Sequence, residues 1–86
     1  MNTILYFTAD WCNPCKKVRP IVEEMNKDSI TKFQMIDVDL EMELTKKFEI
    51  RSVPTFILTK DGKEIKRTTG AQTRQQLESF IDLVEE

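Results

Sequence analysis

Apolar positions along the chain alternate between a two-residue repeat and a helical one, and the switches divide it into seven elements. Thr3 to Thr8 (TILYFT) is an apolar run rich in β-formers, the pattern of a buried strand. After Ala9-Asp10 the repeat changes. Cys15, Val18, Ile21, Val22 and Met25 recur at helical spacing, and Pro14 suits a first helical turn, where its missing N–H is not needed. Pro20 lies inside this helix and predicts a kink; the pattern fades near Lys27-Asp28. Phe33 to Val38 (FQMIDV) reads as a second strand. Asp39 is placed as the cap of a short helix with Leu40, Leu44 and Phe48 on one face. Arg51-Ser52-Val53-Pro54 breaks the chain before a third strand, Thr55 to Thr59. Asp61-Gly62 signals a hairpin, and Lys63 to Thr69 (KEIKRTT) alternates like an edge strand with one face in water. Gly70 ends that strand. Thr73 with Gln76 forms a capping box for a last helix whose buried stripe is Leu77, Phe80, Ile81 and Val84.

The predicted order is therefore β-α-β-α-β-β-α, an α/β fold. Its first half is a βαβ unit with parallel strands and a right-handed crossover, and its second half is an antiparallel hairpin with a closing helix. A chain of 86 residues is enough for one domain, 1–86. A domain of that size buries roughly 60–65 % of the surface of its unfolded chain, so its stability margin is small. With only 2 Gly and 3 Pro, long disordered stretches are not expected.

Charge narrows the function classes. The formal net charge is -2, from 13 basic and 15 acidic residues that are interspersed, which argues against a nucleic-acid or anionic-membrane binder. Lys16, Lys17 and Arg19 form the one basic cluster; Lys16 and Lys17 are either solvated or placed to steer acidic partners or support a thiolate. No stretch is long enough to span a membrane, and Met1 to Phe7 lacks a basic n-region and a full apolar h-region. The expected location is the cytoplasm.

The candidate chemistry lies in Trp11-Cys12-Asn13-Pro14-Cys15, which holds both cysteines of the chain between a predicted strand and a predicted helix. A bridge this short constrains the unfolded chain little, so the pair reads as chemical rather than structural. A helix N-terminus offers free N–H groups and a partial positive charge, both favouring thiolate at Cys12. Residues three apart on a helix lie roughly 5–6 Å from one another, within reach of a disulfide. Cys12 is then placed to attack a disulfide, and Cys15 to resolve the mixed disulfide that forms. Inert buried cysteines and half of a zinc site are the competing readings. Zinc wants four Cys or His ligands, and the chain has no His and no third Cys, which also removes a Cys–His hydrolase.

These residues resemble the thioredoxin family across nearly the whole chain. WCNPC matches the family's WC-x-PC, Pro20 falls where the family kinks its active-site helix, and IRSVPT (Ile50 to Thr55) is similar to its cis-proline loop. Lys60-Asp61-Gly62 fits its hairpin, and Gly70-Ala71 its groove glycine. The resemblance implies a trimmed thioredoxin-like fold, a four-stranded mixed sheet flanked by three helices. It implies reduction of protein disulfides, with Cys12 as nucleophile, Cys15 as resolving thiol, and no cofactor besides the redox-active disulfide. Trp11, Asn13, Pro14, Val53, Pro54, Gly70 and Ala71 would border the substrate groove, with the Val53 backbone pairing to an extended substrate segment. It also implies a cis peptide at Pro54; the residues alone give only an ordinary strand-start proline. The implied partners are protein disulfides, ribonucleotide reductase among them by analogy, and a thioredoxin-reductase-like electron donor. A monomer is expected.

Two other readings stay open. A glutaredoxin-like, glutathione-dependent reductant is favoured by size but opposed by Trp11 and by the lack of paired glycines near Gly70. A scaffold or binding subunit would not use its thiols. Three departures from the family are also visible. Its leading strand and helix have no counterpart before Thr3. Asn13 stands where Gly is usual. The buried Asp six positions before the first cysteine is Tyr6, and its lysine partner is Met35. The expectation is that Tyr6 and Met35 fill the space of that charged pair, giving a drier core and a slower resolving step.

Overall fold

A computed structural model describes residues 2–28 and 32–82. In chain order the elements are β1 (Asn2–Thr8), α1 (Asn13–Asp28), β2 (Lys32–Asp37), α2 (Met42–Lys47), β3 (Thr55–Lys60), β4 (Lys63–Thr69) and α3 (Arg74–Asp82). The sheet order is β2-β1-β3-β4. β1 runs parallel to β2 and antiparallel to β3, and β4 returns antiparallel along β3. The βαβ unit and the hairpin thus sit where the sequence pattern puts them, and the architecture is the thioredoxin-like mixed sheet.

Alternation along β1 divides its side chains between the two faces of the sheet. Ile4 and Tyr6 join Val18, Val22 and Met25 of α1, Phe56 and Leu58 of β3, and Leu77, Phe80 and Ile81 of α3 in one buried cluster. Leu5 and Phe7 join Ile36 and Ile57 in the other, with Leu44 and Phe48 of the α2 region packed against them. Two helices therefore cover one face and α2 the other. The central strands β1 and β3 are buried on both sides, which explains their unbroken apolar runs. Val84, the last expected member of the α3 stripe, lies outside the described residues.

The turns follow local chemistry. Asp61 and Gly62 have φ of 54° and 84°, the positive pair a two-residue hairpin turn requires. The Gln76 side chain accepts from the Thr73 N–H at 2.9 Å while the Gln76 N–H donates to Thr73 Oγ1 at 3.1 Å, a complete capping box.

The segment before α2 departs from expectation. Asp39 does not cap that helix: its start is Glu41, which makes no side-chain cap bond, and the helix begins at Met42. Leu40 is 82 % exposed and belongs to a turn rather than to the buried face. The reason is Asp37, whose carboxylate accepts the Asp39 N–H at 2.8 Å and whose carbonyl accepts the N–H groups of Leu40 and Glu41. That turn consumes the residues assigned to the first helical turn. At its other end α2 closes with Glu49 at φ 52°. The Glu49 N–H bonds the Lys46 carbonyl and the Ile50 N–H bonds the Thr45 carbonyl, the paired bonds of a left-handed helix stop.

Candidate active site

β1 ends at the sheet's centre and delivers the chain to the N-terminus of α1. The Cys12 N–H closes a turn onto the Ala9 carbonyl at 3.2 Å, and the Cys12 carbonyl accepts the Lys16 N–H at 3.3 Å. Cys12 is thus the residue immediately before a helix, and its side chain does what a capping side chain does: Sγ accepts the Cys15 N–H at 3.2 Å. No acidic residue occupies the first turn of α1, so no side chain of that turn offsets the positive end of the helix dipole. The two cysteines are joined as a disulfide with Cα atoms 5.2 Å apart. Cys12 is 4 % exposed and Cys15 fully buried, packed with Ala9 and flanked by Val38 and Val53.

The opposite wall comes from the loop before β3. The Val53–Pro54 peptide is cis. Thr55 Oγ1 donates to the Ser52 carbonyl at 2.7 Å, and the Pro54 carbonyl accepts the Gly70 N–H at 2.9 Å, tying the loop to the end of β4. The Val53 carbonyl is left facing the cysteines, 3.6 Å from Cys12 Sγ. Gly70 sits at φ 87°, a conformation that favours glycine. Trp11 is 66 % exposed beside Cys12, and its indole N–H donates to Asp39 at 2.9 Å. Asp39, misplaced as a helix cap, is thereby the residue that orients Trp11.

Trp11 and Val53 share a pocket of about 140 Å³ with Val38, Thr45, Ile50, Arg51 and Ser52. The last five were not singled out from sequence. The alternation around Val38 and the stretch leading to Pro54 held the signal, but only the pairing of β1 with β2 and β3 brings them together. Asn13, Pro14, Gly70 and Ala71 are exposed, while Pro54 is buried. None of these five lines that pocket.

Beneath the disulfide, Tyr6 is fully buried, stacked on Phe56 with ring centroids 4.9 Å apart, and its hydroxyl donates to the Cys15 carbonyl at 3.1 Å. Burial raises its pKa above the ordinary tyrosine value, against smaller opposing effects of the Thr8 hydroxyl and the Arg19 charge. Met35 is opposite Tyr6 in the β1–β2 register, yet it is 40 % exposed. The expectation that both residues fill a core space is corrected: Tyr6 alone occupies the interior, while Met35 lies outside both buried clusters, which take up its β2 neighbours Phe33 and Ile36. Among the described residues no cluster of His, Cys, Asp or Glu could hold a metal ion, and no helix is long and apolar enough to cross a membrane.

Comparison with known proteins agrees with this geometry. The family model described as thioredoxin matches residues 1–83. The chain is 41 % identical over 73 residues to a thioredoxin of Mycobacterium tuberculosis, an alignment covering 83 % of this chain and 63 % of that protein. It is 35 % identical over 78 residues to thioredoxin C-2 of Corynebacterium nephridii, covering 88 % and 72 % respectively. Among solved structures, a mutant thioredoxin from Halobacterium salinarum superposes with a TM-score of 0.92 at 32 % identity. That superposition covers 99 % of this chain and 75 % of the other. The chain thus spans just under two thirds of the length of its mycobacterial relatives.

Proposed function

The chain belongs to the thioredoxin family, and from that premise we propose that it reduces protein disulfides by dithiol exchange through Cys12 and Cys15. The observation that carries the reading is the placement of Cys12 Sγ, capped by the Cys15 N–H at a helix N-terminus and facing the Val53 carbonyl. In the reduced protein the same N–H and the helix dipole favour thiolate at Cys12. That thiolate attacks one sulfur of a client disulfide; a Cys12–client bond forms and the first client thiolate leaves. Cys15 loses its proton to solvent, and its sulfur attacks Cys12 Sγ. The Cys12–Cys15 bond forms and the second client thiolate is released. Two electrons pass to the client, and both client thiolates take up protons from water.

The substrate segment is read as lying across Trp11, Asn13, Pro14, Val53, Pro54, Gly70 and Ala71. The Val53 backbone, whose carbonyl faces Cys12 Sγ across the groove, is read as pairing with an extended client. Asn13 and Pro14 present the exposed first turn of α1 to the client side. We read residues 1–86 as one domain acting in the cytoplasm as a monomer, recharged by a thioredoxin-reductase-like donor. Ribonucleotide reductase is one client that family analogy suggests.

Equilibration in thiol/disulfide buffers of graded potential, followed by Trp11 fluorescence, tests the reading, because Trp11 is the chain's single tryptophan and adjoins Cys12. A reversible two-electron transition is expected. A Cys15→Ser variant should accumulate a mixed disulfide with a client that the parent protein releases. Failure to form an internal disulfide, or clients that never become trapped, would refute the proposal. Reduction that depends on glutathione would instead assign the chain to the glutaredoxin type.

A further inference from the structure

Three large apolar side chains stand well out of the surface: Trp11, next to Cys12, at 66 %, Leu40 at 82 % and Met42 at 62 % exposed. A single exposed leucine is ordinary. The Trp11 indole is bonded to Asp39, the residue before Leu40, and Met42 follows two residues further on, so all three belong to one stretch of surface chain tied to Trp11. The stretch alternates acid and apolar residues without interruption: Asp37-Val38-Asp39-Leu40-Glu41-Met42-Glu43. Val38 turns inward against the cysteines, while Leu40 and Met42 turn outward between Asp39, Glu41 and Glu43, all exposed.

Among the described residues no ion pair joins Glu41 or Glu43 to a cation. The nearest cations along the chain, Lys46 and Lys47, fall in the last turn of α2, and Arg51 is the one cationic residue lining the pocket. The segment is therefore an apolar ridge in a negative field, running outward from the rim of Cys12. Opposite charge on a partner raises its encounter rate and fixes its register, and an apolar side chain beside that charge gives the ridge something to bury.

We propose that Asp39–Glu43 is a docking ridge for client segments in which an apolar side chain is flanked by lysine or arginine close to the disulfide. The inference rests on the reading of Cys12 and Cys15 as an exchange pair, and it adds a client preference that the groove alone does not provide.

The test is a single turnover of the fully reduced protein, followed by Trp11 fluorescence, against three probes. Two are cyclic disulfide peptides identical except that a leucine near one cysteine is flanked by two lysines or by two glutamates. The third is the small neutral bis(2-hydroxyethyl) disulfide. The lysine peptide should react about five- to tenfold faster than the glutamate peptide at low salt, with the ratio approaching one near ~0.5 M salt as the charges are screened. A Glu41→Lys/Glu43→Lys variant should erase or reverse that ratio. A Leu40→Ser/Met42→Ser variant should slow the lysine peptide several-fold. Equal rates for the two peptides at low salt, or a ratio indifferent to charge reversal, overturn the ridge while reaction of the small disulfide keeps the exchange reading intact. No reaction with the small disulfide overturns the exchange reading and the ridge together.

Discussion

Replacing Tyr6 by Phe isolates what one hydroxyl does beneath the active site. The ring, its stack on Phe56 and the surrounding packing are retained; only the bond from the hydroxyl to the Cys15 carbonyl disappears. That carbonyl lies in the first turn of α1 and keeps its place in the helical ladder, so no acceptor is orphaned. The loss is thus one buried neutral hydrogen bond, about 1 kcal/mol net. For a domain of this size that corresponds to a fall in melting temperature of roughly 4–8 °C. Thermal unfolding of both proteins, fully reduced so that the disulfide does not contribute, measures it. A pH series adds a second readout. Burial holds the folded Tyr6 pKa above the unfolded value near 10, so above that pH the unfolded chain binds fewer protons and stability falls. The contribution is fully present below pH ~10 and is lost as pH rises through the folded pKa. The advantage of Tyr over Phe should therefore be constant at neutral pH and shrink in alkali. Tyr6 is the chain's single tyrosine, so tyrosinate absorbance follows it without deconvolution. A Phe variant as stable as the parent, or a folded phenol that ionises at the ordinary value, would refute the account.

Two further outcomes concern the helix ends. Thr73→Ala removes the acceptor for the Gln76 N–H and should cost about 1 kcal/mol, read as a lower urea midpoint at unchanged slope. Glu49→Gly should stabilise by about 1 kcal/mol, because Glu49 is held at φ 52° to close α2 where glycine carries no Cβ penalty; a lower midpoint would contradict the left-handed assignment.

What the sequence revealed depended on how far apart the interacting residues lie. The capping box is complete within four residues, and the Asp-Gly turn within two, so both were legible. The cysteine pair was equally local: spacing and the start of a helix suffice to place Sγ beside an N–H. The cis peptide was not legible in the residues themselves and came only with the family resemblance. Asp39 failed for an instructive reason. A carboxylate before an apolar repeat is a reasonable helix cap, but Asp37 two residues earlier captures the Asp39 N–H and begins a turn instead. Only after that turn is made is the Asp39 side chain free to meet Trp11, 28 positions away in the chain.

The Tyr6–Met35 expectation failed on where the helices cover the sheet rather than on residue type. Both positions belong to apolar strands and stand opposite each other in register, and sequence treats them alike. Their packing separates them: Tyr6 joins the cluster between the sheet and helices α1 and α3, as does Phe33 of β2, whereas Met35, two residues further along β2, joins neither buried cluster and stays partly exposed. A buried Asp–Lys pair at these two positions would therefore have one well-shielded end and one wet end. With Tyr6 instead, the site keeps a neutral group that donates a hydrogen bond to the Cys15 backbone and has no charge to desolvate. The consequence is that stability and proton transfer are uncoupled at this position. The hydroxyl acts on the helix that carries Cys15, and with no carboxylate on β1 the proton of Cys15 passes to water or to another group.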